Sequence, residues 1–509
     1  MAGFHIEHFG CRAARADGEA IAGILRAVNE REPFAGDVVI VNTCSVTAEA
    51  DRAARACIRL AHRRNPAAKI FVTGCYAQRA PEELAAMPGV AAVVGNSHKA
   101  LAPEIILELV RGQLTSQPPA LVPVESLIAE DRAQFSASAG QAPIWADDRF
   151  AHSFIEDAHG DDQQLAPGAQ TRPNLKIQDG CGNRCTFCVI PFTRGPSKSL
   201  PYAVVMLRVE SFVAAGGKEL VLSGINLGRW GRDAEARTLA VEPDWSSTLA
   251  NARKTRIAED EAPNVGGALG IGETRTVSLA GLVRAILEST ALPRLRLSSI
   301  EPMDWNDELI GLMREFGGHR LARHAHLPLQ SGSDAVLRRM HRRYRPWHYA
   351  EKVDALLRAV GPDLTLGADV MVAFPGETDR EFEESLAFIR ALPFAYLHLF
   401  PFSARPGTRA WALHAADPVA AAVVEKRMAV LRALAAEKSA AHRRRFVGRT
   451  LEAITLRTPE GLAGRGRSAA LTENFLPVEL AGSFAANQLL RVGVTGLSAE
   501  GELTASASG

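Results

Sequence analysis

The sequence predicts an α/β protein in three parts: an N-terminal parallel α/β domain, a central partial (β/α)6 barrel and a small all-β barrel at the C-terminus. Three observations lead there. Strand-length apolar runs alternate with helical stretches over residues 1–112, six further strand-helix repeats fill residues 171–438, and residues 441–509 change to short strands separated by glycines. At 509 residues and 47% hydrophobic, the chain is long and apolar enough for about three domains, each with its own core.

In the first part, residues 37–42 and 69–74 are apolar runs separated by the helical stretch 51–62, a strand-helix-strand pattern. Residues 113–170 turn rich in Pro, Ala, Ser, Gln and Asp without a steady period and are expected to be a linker with at most short ordered pieces. Apolar strands recur at 175–177, 219–222, 295–297, 326–329, 366–372 and 396–400, which implies a parallel barrel whose chemistry sits where the strands end. Residues 233–275 interrupt it with no period and a Gly-rich patch, and are expected to be an inserted loop. The strands at 451–456 and 490–494 fit a small β-barrel.

Lys+Arg 58 against Asp+Glu 57 gives a net charge of +1, which excludes a disordered polyelectrolyte and a globally basic nucleic-acid binder. Any attraction to nucleic acid must be local. No stretch approaches the ~18 apolar residues of a membrane span, and Met1–Glu7 lacks the features of a signal peptide, so no membrane association and a cytoplasmic location are expected. Seven cysteines, none of them in the last 321 residues, do not suit a disulfide-stapled secreted fold.

Cys181, Cys185 and Cys188 place three thiols within eight residues, beside Gly180 and Gly182, at the mouth of the first barrel strand. Three thiolates leave one iron of a four-iron, four-sulfur cluster without a protein ligand, which a substrate needs if it is to bind there. Structural zinc wants four closed ligands, and no fourth Cys or His lies nearby. Cys44 and Cys75 each directly follow a predicted strand, so both reach the carboxyl edge of a parallel sheet, and Cys11 is placed to join them. Cys57 lies inside a helical run and is expected to be an ordinary packed cysteine.

The CxxxCxxC spacing, the aromatic Phe187 before the last cysteine and the strand-helix barrel that follows resemble the radical S-adenosylmethionine (SAM) superfamily. Asn42-Thr-Cys44, Gly74-Cys-Tyr76, His326-Leu-Pro-Leu-Gln-Ser-Gly-Ser333, Arg339-Met340, Tyr344 and Phe402-Ser-Ala-Arg-Pro-Gly-Thr408 narrow the resemblance to the methylthiotransferases. It implies two 4Fe-4S clusters. Cys181, Cys185 and Cys188 would hold the one that binds S-adenosyl-L-methionine and splits it into a 5′-deoxyadenosyl radical. Cys11, Cys44 and Cys75 would hold an auxiliary cluster that carries the sulfur. An aromatic C–H bond is too inert for polar attack, which is why one site makes a radical and the other delivers sulfur. The resemblance also implies a C-terminal RNA-binding TRAM module and a reducing electron donor such as flavodoxin or ferredoxin.

Family members act on an adenosine in tRNA or on an aspartate of a ribosomal protein. The residues around Cys44 and Cys75 look most like enzymes that modify N6-threonylcarbamoyladenosine in the tRNA anticodon region; isopentenyladenosine in tRNA is the nearest alternative. A non-catalytic iron–sulfur RNA-binding protein is the alternative of a different class. Three arginine-rich stretches suit an RNA footprint: Arg52, Arg55, Arg59, Arg63 and Arg64; Arg338, Arg339, Arg342, Arg343 and Arg345; and the seven arginines between Arg443 and Arg467, set against two acids. As candidate cofactor contacts at barrel strand ends we take Phe187, Gly216, Gly217, Asn226, Glu301 and Gln330, with Asp369 beside them. The run Arg12-Ala-Ala-Arg-Ala-Asp17 departs from the family pattern, which often has an Asn and a Tyr after the first cysteine.

Overall fold

The computed structural model describes residues 3–31, 34, 37–112, 141–150, 154–155, 171–233 and 277–508. Most of the expected linker, and the expected insertion beyond Asp233, lie outside the described residues.

Five parallel strands form the N-terminal sheet in sequence order: β1 Phe4–His8, β2 Val38–Thr43, β3 Lys69–Gly74, β4 Val90–Gly95 and β5 Ile144–Trp145. Alternate strand residues enter two cores, Ile40, Phe71 and Val94 with Ile21 and Leu25 on one face, Val41, Val72 and Val93 with Ala54 and Ile58 on the other. Apolar residues pointing both ways are what a parallel sheet covered on two faces requires. β5 comes from the stretch expected to be linker. At two residues it has no period to read, and only its register, Ile144 beside Val93, makes it a strand.

The central domain carries six parallel strands: β6 Asn174–Asp179, β8 Glu219–Gly224, β9 Arg294–Leu297, β10 His324–His326, β11 Thr365–Val372 and β12 Phe394–Pro401. A short antiparallel strand, β7 Lys198–Ser199, edges β6. The bridges Leu295 to Leu321 and Ser299 to His326 link β9 to β10, so the sheets curve into one partial barrel, as the repeats predict. The Arg12–Arg31 helix of the N-terminal domain packs against β6 and β8.

The C-terminal strands β13 Thr450–Thr455, β14 Arg467–Thr472, β15 Pro477–Ala481, β16 Leu489–Leu497 and β17 Leu503–Ala507 close into a barrel of order β13-β14-β15-β17-β16, filled by Leu451, Val478, Leu480, Val492 and Leu503. Its turn after β14 docks at the N-terminal end of the central strands. There Arg323 Nε donates to the Glu473 carboxylate at 2.8 Å, Arg296 Nη2 donates to the Glu473 carbonyl at 3.0 Å, and Asn474 Nδ2 donates to the Asp363 carbonyl at 3.2 Å. Phe475, in the left-handed region at φ 68°, puts its ring 4.4 Å from that of His324.

Glu473→Ala is expected to leave Arg323 paired with Asp363 alone and to loosen this docking by about 2 kcal/mol, the range for a hydrogen bond to a charged group. Urea unfolding followed by limited proteolysis reads it as earlier release of the C-terminal barrel; an unchanged midpoint would place the docking energy elsewhere.

Candidate active site

The first three thiols meet because of two glycines. Thr43 and Gly74 pair across β2 and β3, so Cys44 and Cys75 each stand one residue beyond paired positions on neighbouring strands. Gly74 sits at φ 99°, and a Cβ there would lie 2.3 Å from the Thr43 carbonyl oxygen; any side chain would push Cys75 away from Cys44. Gly10 does the same for Cys11, because a Cβ on it would fall 2.9 Å from Cys44 Sγ. Burial pushes the Cys44 thiol up to about 12, and the nearby sulfurs of Cys75 and Cys11 add to the rise. Cys44 and Cys75 are buried and Cys11 is exposed. Cys57 stays on its helix, partly packed in the sheet core.

Gly180, at φ 69°, shapes the second thiol set: a Cβ would lie 1.9 Å from the Pro196 carbonyl oxygen. Cys181 Sγ accepts from the Asn183 N–H at 3.4 Å and from Asn226 Nδ2 at 3.6 Å. Arg342 Nη1 donates to Cys185 Sγ at 3.2 Å and Nη2 to Glu301 at 2.5 Å. Burial pushes Cys188 up to about 12, with Cys185 and Cys181 contributing. A cavity of about 470 Å³ opens beside this loop, lined by Asn183, Cys185, Glu301 and Arg342 among others, a volume that suits a nucleoside-sized ligand. Phe187 packs edge-on to Phe374 behind the loop. Gln330, at φ 64°, is buried, its N–H donates to the Asp369 carbonyl at 2.8 Å, and its Oε1 has no partner among the described residues.

A short helix, Ile190–Arg194, joins the two sets. It begins two residues after Cys188 and ends with Arg194 Nε donating to Cys75 Sγ at 3.3 Å, while Asn96 Nδ2 donates to both Cys75 Sγ and the Thr193 carbonyl. At ~1.5 Å per residue the four steps from Ile190 to Arg194 advance about 6 Å along the axis. Under this helix lies a buried cluster of Asp17, Lys99, Lys176, Asp179 and Arg194, with Arg194 Nη1 2.9 Å from Asp179 and 3.1 Å from Asp17. Burial alone would raise the Asp179 carboxyl, but Arg194, Lys176 and Lys99 hold it well below its usual range. Among the described residues, three cations against two anions leave +1 beside Cys75, and Arg194 Nη2 is buried without a partner. Donors aimed at sulfur and a surplus positive charge fit an iron–sulfur group bound through thiolates, which is anionic.

In the barrel lumen, His326, Asp369 and His398 bring one donor atom each within 4.8 Å of one another, a geometry able to hold a metal ion or relay a proton. His398 Nδ1 lies 3.1 Å from Asp369 Oδ1 and His326 Nδ1 2.9 Å from Ser299 Oγ. Burial raises Asp369, yet the two imidazoles hold its carboxyl far below the ordinary range.

Two expectations are corrected by these positions. Gly216 and Gly217 lie at the opposite end of β8 from the thiols, closing the Tyr202–Ala214 helix; a Cβ at Gly217 would strike the Phe212 ring, and the Gly216 carbonyl accepts from Asn487. A glycine pair reads the same before a strand as after one. Among the arginines assigned to RNA, Arg342 is buried on Cys185 and Glu301, Arg339 pairs with Glu381, and Arg345 with Asp334. Arg52, Arg59, Arg63 and Arg64 remain exposed. Arg194 and Asn96 were missed as thiol partners, since nothing in their local sequence marks a sulfur far away in the chain.

Residues 3–95 match the Uncharacterized protein family UPF0004, and residues 175–389 match the Radical SAM superfamily. Over 486 residues the chain is 30% identical to the threonylcarbamoyladenosine tRNA methylthiotransferase MtaB of Bacillus subtilis, covering 95% of this chain and 91% of that one. The chain belongs to the radical SAM methylthiotransferase family. It is also 30% identical to the tRNA-2-methylthio-N(6)-dimethylallyladenosine synthase of Novosphingobium aromaticivorans, covering 89% of this chain and 86% of the relative. Among solved structures it is similar to the radical SAM methyltransferase TsrM of Kitasatospora setae, at 15% identity and a TM-score of 0.45, covering 81% of this chain and 77% of that chain. Family membership implies a 4Fe-4S cluster and S-adenosylmethionine. Among the described residues no helix is long and apolar enough to cross a membrane.

Gly180→Ala is expected to fold and to lose the iron held by the barrel loop, because the loop cannot close against Pro196. Anaerobic iron and sulfide analysis checks this, and wild-type iron content in the variant would contradict it.

Proposed function

We propose that this chain adds a methylthio group to C2 of N6-threonylcarbamoyladenosine next to the anticodon of tRNA. In this reading Cys181, Cys185 and Cys188 hold the cluster that binds SAM, and Cys11, Cys44 and Cys75 hold a second 4Fe-4S cluster. The observation that carries it is the pair of three-thiol sets separated by one short helix, with an arginine hydrogen-bonded to a sulfur of each. Names of relatives that cover nearly the whole chain support the threonylcarbamoyl substrate. The dimethylallyl enzymes at equal identity keep isopentenyladenosine as the second reading.

With the clusters and SAM bound, they supply a carbon radical at one end and sulfur at the other. The protein's own residues position and insulate. Arg342 holds Cys185 and orients Glu301, whose carboxylate lines the cavity where a ribose hydroxyl or an ammonium would be accepted. Arg194 and Asn96 hold Cys75 with two N–H donors aimed at its sulfur. Phe192, 64% exposed beside the Cys188 loop, offers an aromatic face on which a base turned out of the RNA can stack. His398, with Nδ1 on Asp369, leaves Nε2 to hydrogen-bond the substrate base and orient it. Electrons come from a small reducing protein of the flavodoxin or ferredoxin class.

Nucleosides from a deletion strain are expected to lack 2-methylthio-N6-threonylcarbamoyladenosine by mass spectrometry and to regain it on complementation; retention of that nucleoside would refute the substrate. Purified Cys185→Ala is expected to form no 5′-deoxyadenosine, whereas Cys44→Ala still cleaves SAM but transfers no sulfur. Loss of both activities in a folded, half-loaded Cys44→Ala would refute the division of labour.

A further inference from the structure

Arg12 follows Cys11 directly and belongs to the run that departs from the family pattern. Its guanidinium enters the lower lumen of the central barrel, 5.5 Å from the centre of the Phe475 ring, which packs 5.8 Å from Tyr396 and 5.2 Å from the guanidinium of Arg296. Arg296 and Tyr396 stand on β9 and β12, so the layer that Arg12 enters is built by barrel strands and not by the thiols beside it in the chain. Among the described residues no carboxylate stands within ion-pair distance of it.

Glu219 is the fully buried acid of this layer, and it is already taken. Arg172 and Arg294 lie 3.2 Å from it and Arg296 2.8 Å, while Arg294 also reaches Glu452. Among the described residues, Arg172, Arg294 and Arg296 thus gather on Glu219 with Arg12 in the same layer and Glu452 reached by Arg294, four positive charges against two negative. Arg296 Nη1, on a fully buried residue, has no partner among the described residues. Bringing an unpaired guanidinium into such surroundings is costly unless an anion arrives to share it. The fork of an arginine matches a carboxylate bidentately. There is a way in: His398 and Asp369, one layer above Tyr396 on the same strands, are 62% and 28% exposed at their side chains.

We propose that Arg12, in the positive field of Arg296, binds the carboxylate carried by the N6 substituent of the substrate base. This rests on the threonylcarbamoyladenosine reading above, because an isopentenyl group carries no anion. Arg12 and Cys11 are chain neighbours, ~3.8 Å apart at their Cα atoms, so the contact that selects the substituent also sets the distance between the base and the first thiol set. Compensation of thiolate charge does not account for Arg12, since Arg194 is hydrogen-bonded to Cys75 and has a donor to spare.

The test compares holoenzymes reconstituted anaerobically, wild type, Arg12→Gln and Arg12→Lys, on a tRNA bearing N6-threonylcarbamoyladenosine and on the same tRNA with the threonyl carboxylate converted to its methyl ester. Wild type is expected to prefer the acid in methylthiolation kcat/KM by about 10- to 100-fold, the range for a hydrogen bond to a charged group. Arg12→Gln is expected to collapse that acid-to-ester ratio to near one, and Arg12→Lys, which keeps the charge, to retain much of it. An unchanged ratio in Arg12→Gln overturns the proposal while leaving the substrate reading intact. Should Arg12→Gln fail to load iron, the ratio is read on a fully loaded Arg12→Lys: a ratio lowered several-fold yet still above one, as keeping the charge while losing the fork requires, supports the proposal, and a ratio equal to that of wild type overturns it. A wild type that thiolates only isopentenyladenosine tRNA overturns both readings together.

Discussion

The buried cluster of Asp17, Lys99, Lys176, Asp179 and Arg194 is the constraint on which the rest of the site depends. Asp17 and Lys99 come from the N-terminal domain, Lys176, Asp179 and Arg194 from the central barrel, and their charged atoms lie together with almost no exposure. Ions taken out of water at this depth are tolerated only when each finds partners of good geometry, and removing one from such a set costs about 3–5 kcal/mol. The two domains are therefore held in one relative position, the position that sets Cys75 against Arg194. The surplus positive charge has a consequence for the chemistry. Burial raises the Cys44 thiol and Arg194 opposes that rise, so the same ions that join the domains also bear on the sulfurs.

The second thiol set repeats the device on a smaller scale. Arg342 is shared between Cys185 and Glu301, and Tyr344 packs against the guanidinium and donates to the Leu329 carbonyl, so the loop, the cavity wall and the strand end move as one. Arginine suits both positions because its planar fork serves a sulfur and a carboxylate at once. The lower lumen is different. There the guanidiniums outnumber the acids, and the C-terminal barrel closes the floor with Phe475 and with main-chain carbonyls that accept from Arg296. The module expected to serve RNA thus also shapes the bottom of the reaction chamber.

Much of this was legible in the sequence for local reasons. Strand and helix periods announce both parallel sheets, and the glycine-rich tail announces the small barrel. Cys181, Cys185 and Cys188 are close in space because they are close in the chain, and Cys44 and Cys75 because each ends a strand. What stayed hidden depends on neighbours far along the chain. β5 is too short to show a period. Gly216 and Gly217 resemble a ligand-binding turn and are a helix end. The arginines of 338–345 look like one basic patch, yet they divide between a sulfur, three carboxylates and solvent.

The spacing of residues along the chain by itself determined the fold class and the two groups of thiols, because hydrophobic period and chain connectivity act over a few residues and survive in any context. Only the tertiary structure decided what each charge is for. A side chain's electrostatic partner is set by which strands become neighbours, and the value of that pairing depends on how much water the neighbours exclude. Arg194 became a thiol partner, Arg342 a link from the cysteine loop to the cavity and Arg12 a cation with no counter-ion among the described residues for that reason alone.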